Sequence, residues 1–305
     1  MIESHLGEIA ALMTAMFWAV TSTSFEAAGK RIGSLTLNVI RLYFAFAIYT
    51  VYLWIVRGLP FPTDATSNAW MWLSLSGLVG FLIGDLLLFQ AFVVVGARIS
   101  MLIMALVPPI TALTGWLILG ESLTPRDFLG MALTLTGVVL VILKNEHLDQ
   151  ESGKKKKLKF SYPIVGILLA FGGAVGQAVG LVLSKFGMQD YNAFAASQIR
   201  VLAGLIGFTI VFTLMRRWGR VWKAFKNPKG ILFTGIGSVF GPFLGVSFSL
   251  LAVQHAETGV AATIMSIVPI LLIPPAVLYF KEKVTFKEIL GAFIAVGGVA
   301  ILFLA

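Results

Sequence analysis

PPITALTGWLILGESLTPRDFLGMALTLTGV, residues Pro108 to Val138, is written twice in this chain, and the second copy, PILLIPPAVLYFKEKVTFKEILGAFIAVGGV, runs from Pro269 to Val299. Pro108, Glu121, Thr124, Leu129, Gly130, Gly137 and Val138 return 161 residues later as Pro269, Glu282, Thr285, Leu290, Gly291, Gly298 and Val299. Arg126 and Asp127 return in kind as Lys287 and Glu288. So large a shift in 305 residues divides the chain into two halves and excludes a solenoid of short repeats. The copy extends upstream. Gly80 and Gly84 in GFLIG map onto Gly241 and Gly245 in GPFLG, while Arg41 and Arg200 correspond at an offset of 159.

Composition names the solvent. With 58% hydrophobic residues, 12% charged residues and a mean hydropathy of +0.93, the chain has more apolar surface than one soluble core of this length needs. It reads as a membrane protein. The net charge of +9 does not point to nucleic acid, because the basic residues interrupt apolar runs and form no mixed basic and aromatic surface. Anionic lipid headgroups are the natural counter-charge. Absence of cysteine excludes disulfides and thiolate chemistry. Met1 to Glu8 carry no positive n-region, so no secretory signal is expected.

A helix needs about 20 apolar residues to cross a hydrocarbon core of about 30 Å. Such runs follow one another near residues 7–28, 34–56, 70–94, 99–119, 126–143, 162–184, 194–215, 231–253, 258–280 and 285–304. The expected fold is an all-α membrane protein of ten transmembrane helices. The one long polar connection, with its KKKK run, separates five spans from five, giving a first repeat at 1–147, a basic linker at 148–160 and a second repeat at 161–305. Five is odd, so the second repeat enters the membrane from the opposite side. The halves are two inverted five-helix repeats related by a pseudo-twofold axis in the membrane plane.

Lys and Arg placement predicts orientation. The connections after spans 1, 3, 5, 7 and 9 hold 18 of the 23 basic residues, and the opposite side holds only Arg57, Arg126 and Lys185. The odd-numbered connections are therefore expected in the cytoplasm, with both termini outside a cell membrane.

Ionisable groups within spans are costly in hydrocarbon and mark functional candidates. Asp85, well inside span 3 beside Gly80 and Gly84, is the foremost. Glu26 and Lys185 are repeat equivalents of opposite charge, and Glu26 is expected to pair with Arg41 across the connection between spans 1 and 2. Arg41 and Arg200 open spans 2 and 7. Trp18, Gln90 and Gln177 add polar groups for a substrate, with Trp18 and Gln177 equivalent by the repeat. Pro108, Pro109 and Pro269 interrupt spans 4 and 9. Matched breaks in inverted halves point to a central site, although a proline can also be a fixed kink that aids packing. Glu121 and Glu282 read as structural, since each precedes a threonine, Thr124 or Thr285, that with Asp127 or Glu288 three residues on forms a capping box. The glycine faces of spans 3, 6 and 8 read as packing seams and sliding surfaces. Three scattered histidines without cysteine offer no metal-ligand spacing, and no nucleophile elbow, P-loop or dinucleotide turn occurs, so no catalytic residue and no cofactor is expected.

These residues resemble a known family. Trp18 in FWAV, Arg41 and Arg200, and the series Pro108, Gly120, Glu121, Gly130, Gly137 with its copy Pro269, Glu282, Gly291, Gly298 are similar to the drug/metabolite transporter superfamily, in proteins with two tandem EamA domains. The resemblance covers nearly the whole chain. It implies a ten-helix inverted-repeat carrier that moves small organic metabolites, often amino acids, out of the cell through a central cavity. Lys281 stands where the family's GE motif has glycine, and relatives usually keep both termini in the cytoplasm, opposite to the charge reading. A secondary transporter of a small molecule, working by alternating access, is the leading expectation, and a coupling proton at Asp85 is subsidiary to it. An intramembrane enzyme or lipid-handling protein, contacting a lipid-linked headgroup through Glu26, Arg41, Asp85 and Arg200, is the alternative.

Overall fold

The structure is a computed structural model and describes residues 5–114, 116, 123–145, 158–255, 261 and 264–303. The first half contributes α1 (Leu6–Ile32), α2 (Ser34–Arg57), α3 (Ser67–Val95), α4 (Ala97–Thr114) and α5 (Pro125–Ile142). The second contributes α6 (Ile164–Met188), α7 (Ala193–Leu214), a short α8 (Trp218–Phe225), α9 (running from Pro228 to His255), α10 (Val268–Leu278) and α11 (Phe286–Phe303). Eight of the helices are long and apolar enough to cross a membrane, and α10 and α11 take the ninth and tenth positions among the described residues. The protein is an all-α membrane protein. At the end of the first repeat β1 (Leu143–Asn145) pairs with β2 (Leu158–Phe160), the last residues of the region read as linker, in a small antiparallel ribbon that sets Leu143 opposite Phe160. Leu158 and Phe160 interrupt the polar run, so the linker is not wholly irregular.

Local chemistry starts the helices where expected. Thr124 caps α5 by accepting from the Asp127 N–H, while the Asp127 carboxylate accepts from the Thr124 N–H at 2.6 Å, and Pro125 takes the first helical position. Thr285 and Glu288 repeat the exchange at α11. Glycine turns the chain where φ is positive, at Gly33 (φ 82) between α1 and α2 and at Gly96 (φ 84) between α3 and α4.

The pseudo-twofold is visible where α5 and α11 cross. A Cβ added to Gly291 would lie 2.7 Å from the Gly137 carbonyl, and one added to its counterpart Gly298 would lie 2.7 Å from the Gly130 carbonyl. Backbone thus meets backbone, the close approach that small residues permit between membrane helices. On α3 and α6 the same logic holds. Gly176 lies against Gly84 and Gly180 against Gly80, with the Ser76 hydroxyl donating to the Gly180 carbonyl at 2.6 Å.

Two features were not legible from spacing. Helix α3 carries a π-helical turn at Leu78–Gly84, ending immediately before Asp85, and α9 carries one at Val239–Gly245, ending before Val246. Each turn falls at the same place in its repeat. Such wide turns are concentrated at functional sites. The other feature is α8, WGRVWKAF, which buries Val221 and Ala224, exposes Trp222 and Phe225 and carries Arg220 and Lys223, the pattern of a helix lying in the membrane surface.

Candidate functional site

Helices α1, α2, α3, α4, α6, α7, α9 and α10, with the start of α5, surround a cavity of about 1090 Å³. Its walls are largely apolar, with Phe25, Phe89, Phe92, Met101 and Met104 among them, and its polar groups include Trp18, Ser22, Arg41, Asp85, Gln177 and Arg200. The cavity reaches Leu123 and Asp127, then Lys185, Gln189 and Asp190, then Gln254 and His255, which lie in or beside the connections after spans 4, 6 and 8. Among the described residues, none from the odd-numbered connections lines it.

Its polar centre is an ion pair. Asp85 accepts from Arg41 Nη2 at 2.6 Å through one carboxylate oxygen and from Gln177 Nε2 at 2.6 Å through the other. Asn38 locks the pair by accepting from Arg41 Nε at 3.0 Å and donating to the Asp85 carbonyl at 3.3 Å. The Arg41 guanidinium lies 4.5 Å from the Phe89 ring centroid, where the face of the ring attracts a cation. Arg41 is 1% exposed and Asp85 4%, so the charges must balance each other rather than be balanced by water.

Arg200, the repeat counterpart of Arg41, is arranged differently. It is 5% exposed and lies 5.0 Å from the centroid of Phe81, whose ring also stands 5.6 Å from Arg41. Its Nε has no hydrogen-bond partner, and no carboxylate among the described residues forms an ion pair with it. The position equivalent to Asp85 is Val246.

Opposite the mouth, the connections are latched. Glu26 accepts from the N–H of Ala97 at 2.7 Å and pairs with Lys30. Arg98 pairs with Glu282 at 3.0 Å and with Glu288 at 3.2 Å, and the Tyr162 hydroxyl donates to Glu288. Burial and the adjacent Glu288 carboxylate push the Tyr162 phenol up to about 12, so it stays a donor at physiological pH.

Several expectations change. Glu26 does not meet Arg41. The positive φ at Gly96 starts α4 with free N–H groups, and such a helix N-terminus draws the Glu26 carboxylate, leaving Arg41 to Asp85. Glu26 therefore lies outside the cavity. Gln90 also lies outside it, accepting from the Ser34 hydroxyl at 2.5 Å and so tying α3 to the start of α2. Trp18, Gln177, Arg41, Asp85 and Arg200 come together in the cavity, and Lys185 stands at its mouth. Pro108 and Pro269 line it as expected, whereas Pro109 is buried away from it. Each break follows a tightened turn, at Ala105 and Leu106 in α4 and at the equivalent Ser266 and Ile267 before α10. Thr124 and Thr285 cap as read. Glu282 does more than precede a cap, since it holds Arg98. Glu121 lies outside the described residues. Asn38 and Arg98 were not singled out by sequence, Arg98 because it counts equally well as an ordinary loop charge. No group of three or more acids, histidines or cysteines among the described residues is placed to hold a metal.

The EamA-like transporter model matches residues 5–143 and again 164–304. The chain belongs to the EamA-like transporter family. Two tandem EamA units agree with the duplication and with the paired π turns. A solved crystal structure of 18% identity is matched over 98% of this chain and 96% of that one, with a TM-score of 0.64, a likeness of fold. None of the curated proteins matches. This EamA protein is a membrane transporter by family, and the family consists of transporters rather than enzymes.

Proposed function

We propose that this EamA protein is a secondary carrier that moves a small organic metabolite across the cell membrane by alternating access, with export as the direction its family resemblance implies. One observation carries the reading: a cavity at the junction of the two repeats reaches one face of the molecule, while ion pairs join the connections on the other face. That is what one state of an alternating carrier requires. Under the charge-based orientation the open face is extracellular, and the latched one is cytoplasmic. The glycine contacts of α3 with α6 supply a smooth surface on which the halves rock.

In this reading Arg41, Asp85, Gln177, Arg200 and Trp18 form the substrate site, Lys185 guides charge at the mouth, and Pro108 and Pro269 break α4 and α10 beside the cavity. Purified protein in proteoliposomes should accumulate or exchange at least one member of a broad metabolite panel. Transport of none under any imposed ion or proton gradient counts against a carrier, and covalent turnover of a lipid-linked substrate would replace it with the lipid-handling alternative. Proton coupling through Asp85 is decided in the same vesicles. Asp85→Asn should flatten the pH dependence of uptake, and an unchanged profile removes that role.

A further inference from the structure

Asp85 holds its place between two donors, Arg41 from α2 of its own half and Gln177 from α6 of the other half. The repeat places Arg200 where Arg41 stands and Trp18 where Gln177 stands, so both donor positions recur in the second half. The acceptor does not, because Val246 replaces the aspartate. Arg and Trp side chains donate hydrogen bonds and accept none, which makes this second site a pair of donors lacking an anion.

The indole stands beside the turn that delivers Val246: a Cβ on Gly245 would lie 2.8 Å from Trp18 Nε1. The π turns that deliver Asp85 and Val246 are matched residue for residue. Helix α7, which carries Arg200, packs on both the second π turn and the segment after it, as α2 packs on the segment beginning at Asp85. Arg200, Trp18 and Val246 all line the cavity. Neither the Arg200 Nε nor the Trp18 indole N–H has a hydrogen-bond partner among the described residues.

We propose that the substrate supplies the carboxylate that Val246 lacks, binding between Arg200 and Trp18 as Asp85 binds between Arg41 and Gln177. This rests on the carrier reading and names its substrate class: an organic monoanion with an apolar body. Arg41, Asp85 and Arg200 together leave the centre of the cavity with one net positive charge, which one carboxylate neutralises. The other ionisable lining groups, Asp127, Lys185, Asp190 and His255, lie at the mouth. Phe25, Phe89, Phe92 and Met101 accept the apolar body. A charge-assisted contact to a planar guanidinium selects a carboxylate over a neutral isostere.

The experiment uses wild-type protein in proteoliposomes and three probes of one shape: phenylacetate, phenylacetamide and phenethylamine. Phenylacetate should exchange in counterflow, and the amide and the amine should compete at least about tenfold less well, the effect of roughly 1.4 kcal/mol. Val246→Asp puts a tethered carboxylate in the wall of the same cavity, at the position equivalent to Asp85, and should weaken phenylacetate exchange about tenfold or more without lowering the melting temperature. Arg200→Gln should weaken it similarly. Exchange of the amide or amine as readily as the acid overturns the proposal while leaving the carrier reading intact, as does a folded Val246→Asp protein with wild-type exchange. If no probe and no member of the metabolite panel moves, the carrier reading itself falls and this one with it. The wild-type probe series decides the matter even if a variant does not fold.

Discussion

Arg41 Nη2 and Asp85 Oδ2 lie 2.6 Å apart in the middle of the membrane-spanning bundle, both buried, while the repeat equivalents of the same two positions are Arg200 and Val246. One half of an internally symmetric protein therefore balances its arginine and the other does not. Symmetry supplies the scaffold, and its breach supplies the chemistry.

The energetic consequence is testable. Removing one partner of a buried pair strands the other charge, which costs about 3–5 kcal/mol, whereas replacing both by apolar groups is often neutral. Asp85→Ala should therefore lower the melting temperature of the detergent-purified protein markedly, and Arg41→Met combined with Asp85→Leu should recover most of the loss. Both proteins should fail to transport. Equal destabilisation by the single and the double substitution would show that the pair does not balance itself as described.

Adjacent glycines separate packing from propensity. A Cβ on Gly298 would lie 2.4 Å from the Thr134 backbone nitrogen, but one on Gly297 meets nothing within 4 Å. Gly298→Ala forces α5 and α11 apart, an overpacking that costs about 1–3 kcal/mol. Gly297→Ala should be neutral or slightly stabilising. Melting curves and the monodisperse fraction after size-exclusion chromatography measure both, and similar behaviour of the two variants would remove the seam as an explanation for the repeat's glycines.

How the sequence announces these features depends on their physical origin. The spans, the inversion and the capping boxes were legible because they rest on local period, span parity and fixed spacing, as in Thr124 with Asp127. The prominence of Asp85 was legible because a carboxylate in hydrocarbon is costly wherever it points. Its partner was not. Glu26 and Arg41 are close along the chain, yet the pairing depends on a long-range fact, that Gly96 turns the N-terminus of α4 towards Glu26. The π turns were hidden for a related reason, since a widened turn leaves the apolar run intact and only Pro242, which lacks a backbone donor, hints at one. Gln90 misled because an amide within a span signals a hydrogen bond without saying whether the partner is a substrate or Ser34.

Orientation is tested through the absence of cysteine. A single cysteine introduced within residues 150–157 should be shielded from an impermeant maleimide in intact cells and should label once the cells are opened. This follows from the concentration of lysine and arginine on the odd-numbered connections. Labelling in intact cells would reverse the sidedness, and the open cavity would then face the cytoplasm.

The latch is tested against the same background. Arg98 holds Glu282 and Glu288, and Glu26 holds the start of α4, so these contacts join α1, α4 and α11 with the connection before α11. Met104 lines the cavity above them and, replaced by cysteine, reports which side of the membrane reaches it. In the otherwise unchanged protein, reagent should arrive from the face carrying the even-numbered connections. Arg98→Ala removes charge-assisted bonds worth about 1.5–3 kcal/mol each, enough to move a two-state equilibrium about tenfold or more towards the opposite opening. Labelling of Met104→Cys from the odd-connection side of oriented vesicles should rise by at least about that factor, and labelling from the even side should fall. A rise on both sides means general loosening, and no change on either means that the ion pairs staple the fold without gating it. A reciprocal change shows that the two faces exchange access through a shared equilibrium, with Arg98 as one of its weights.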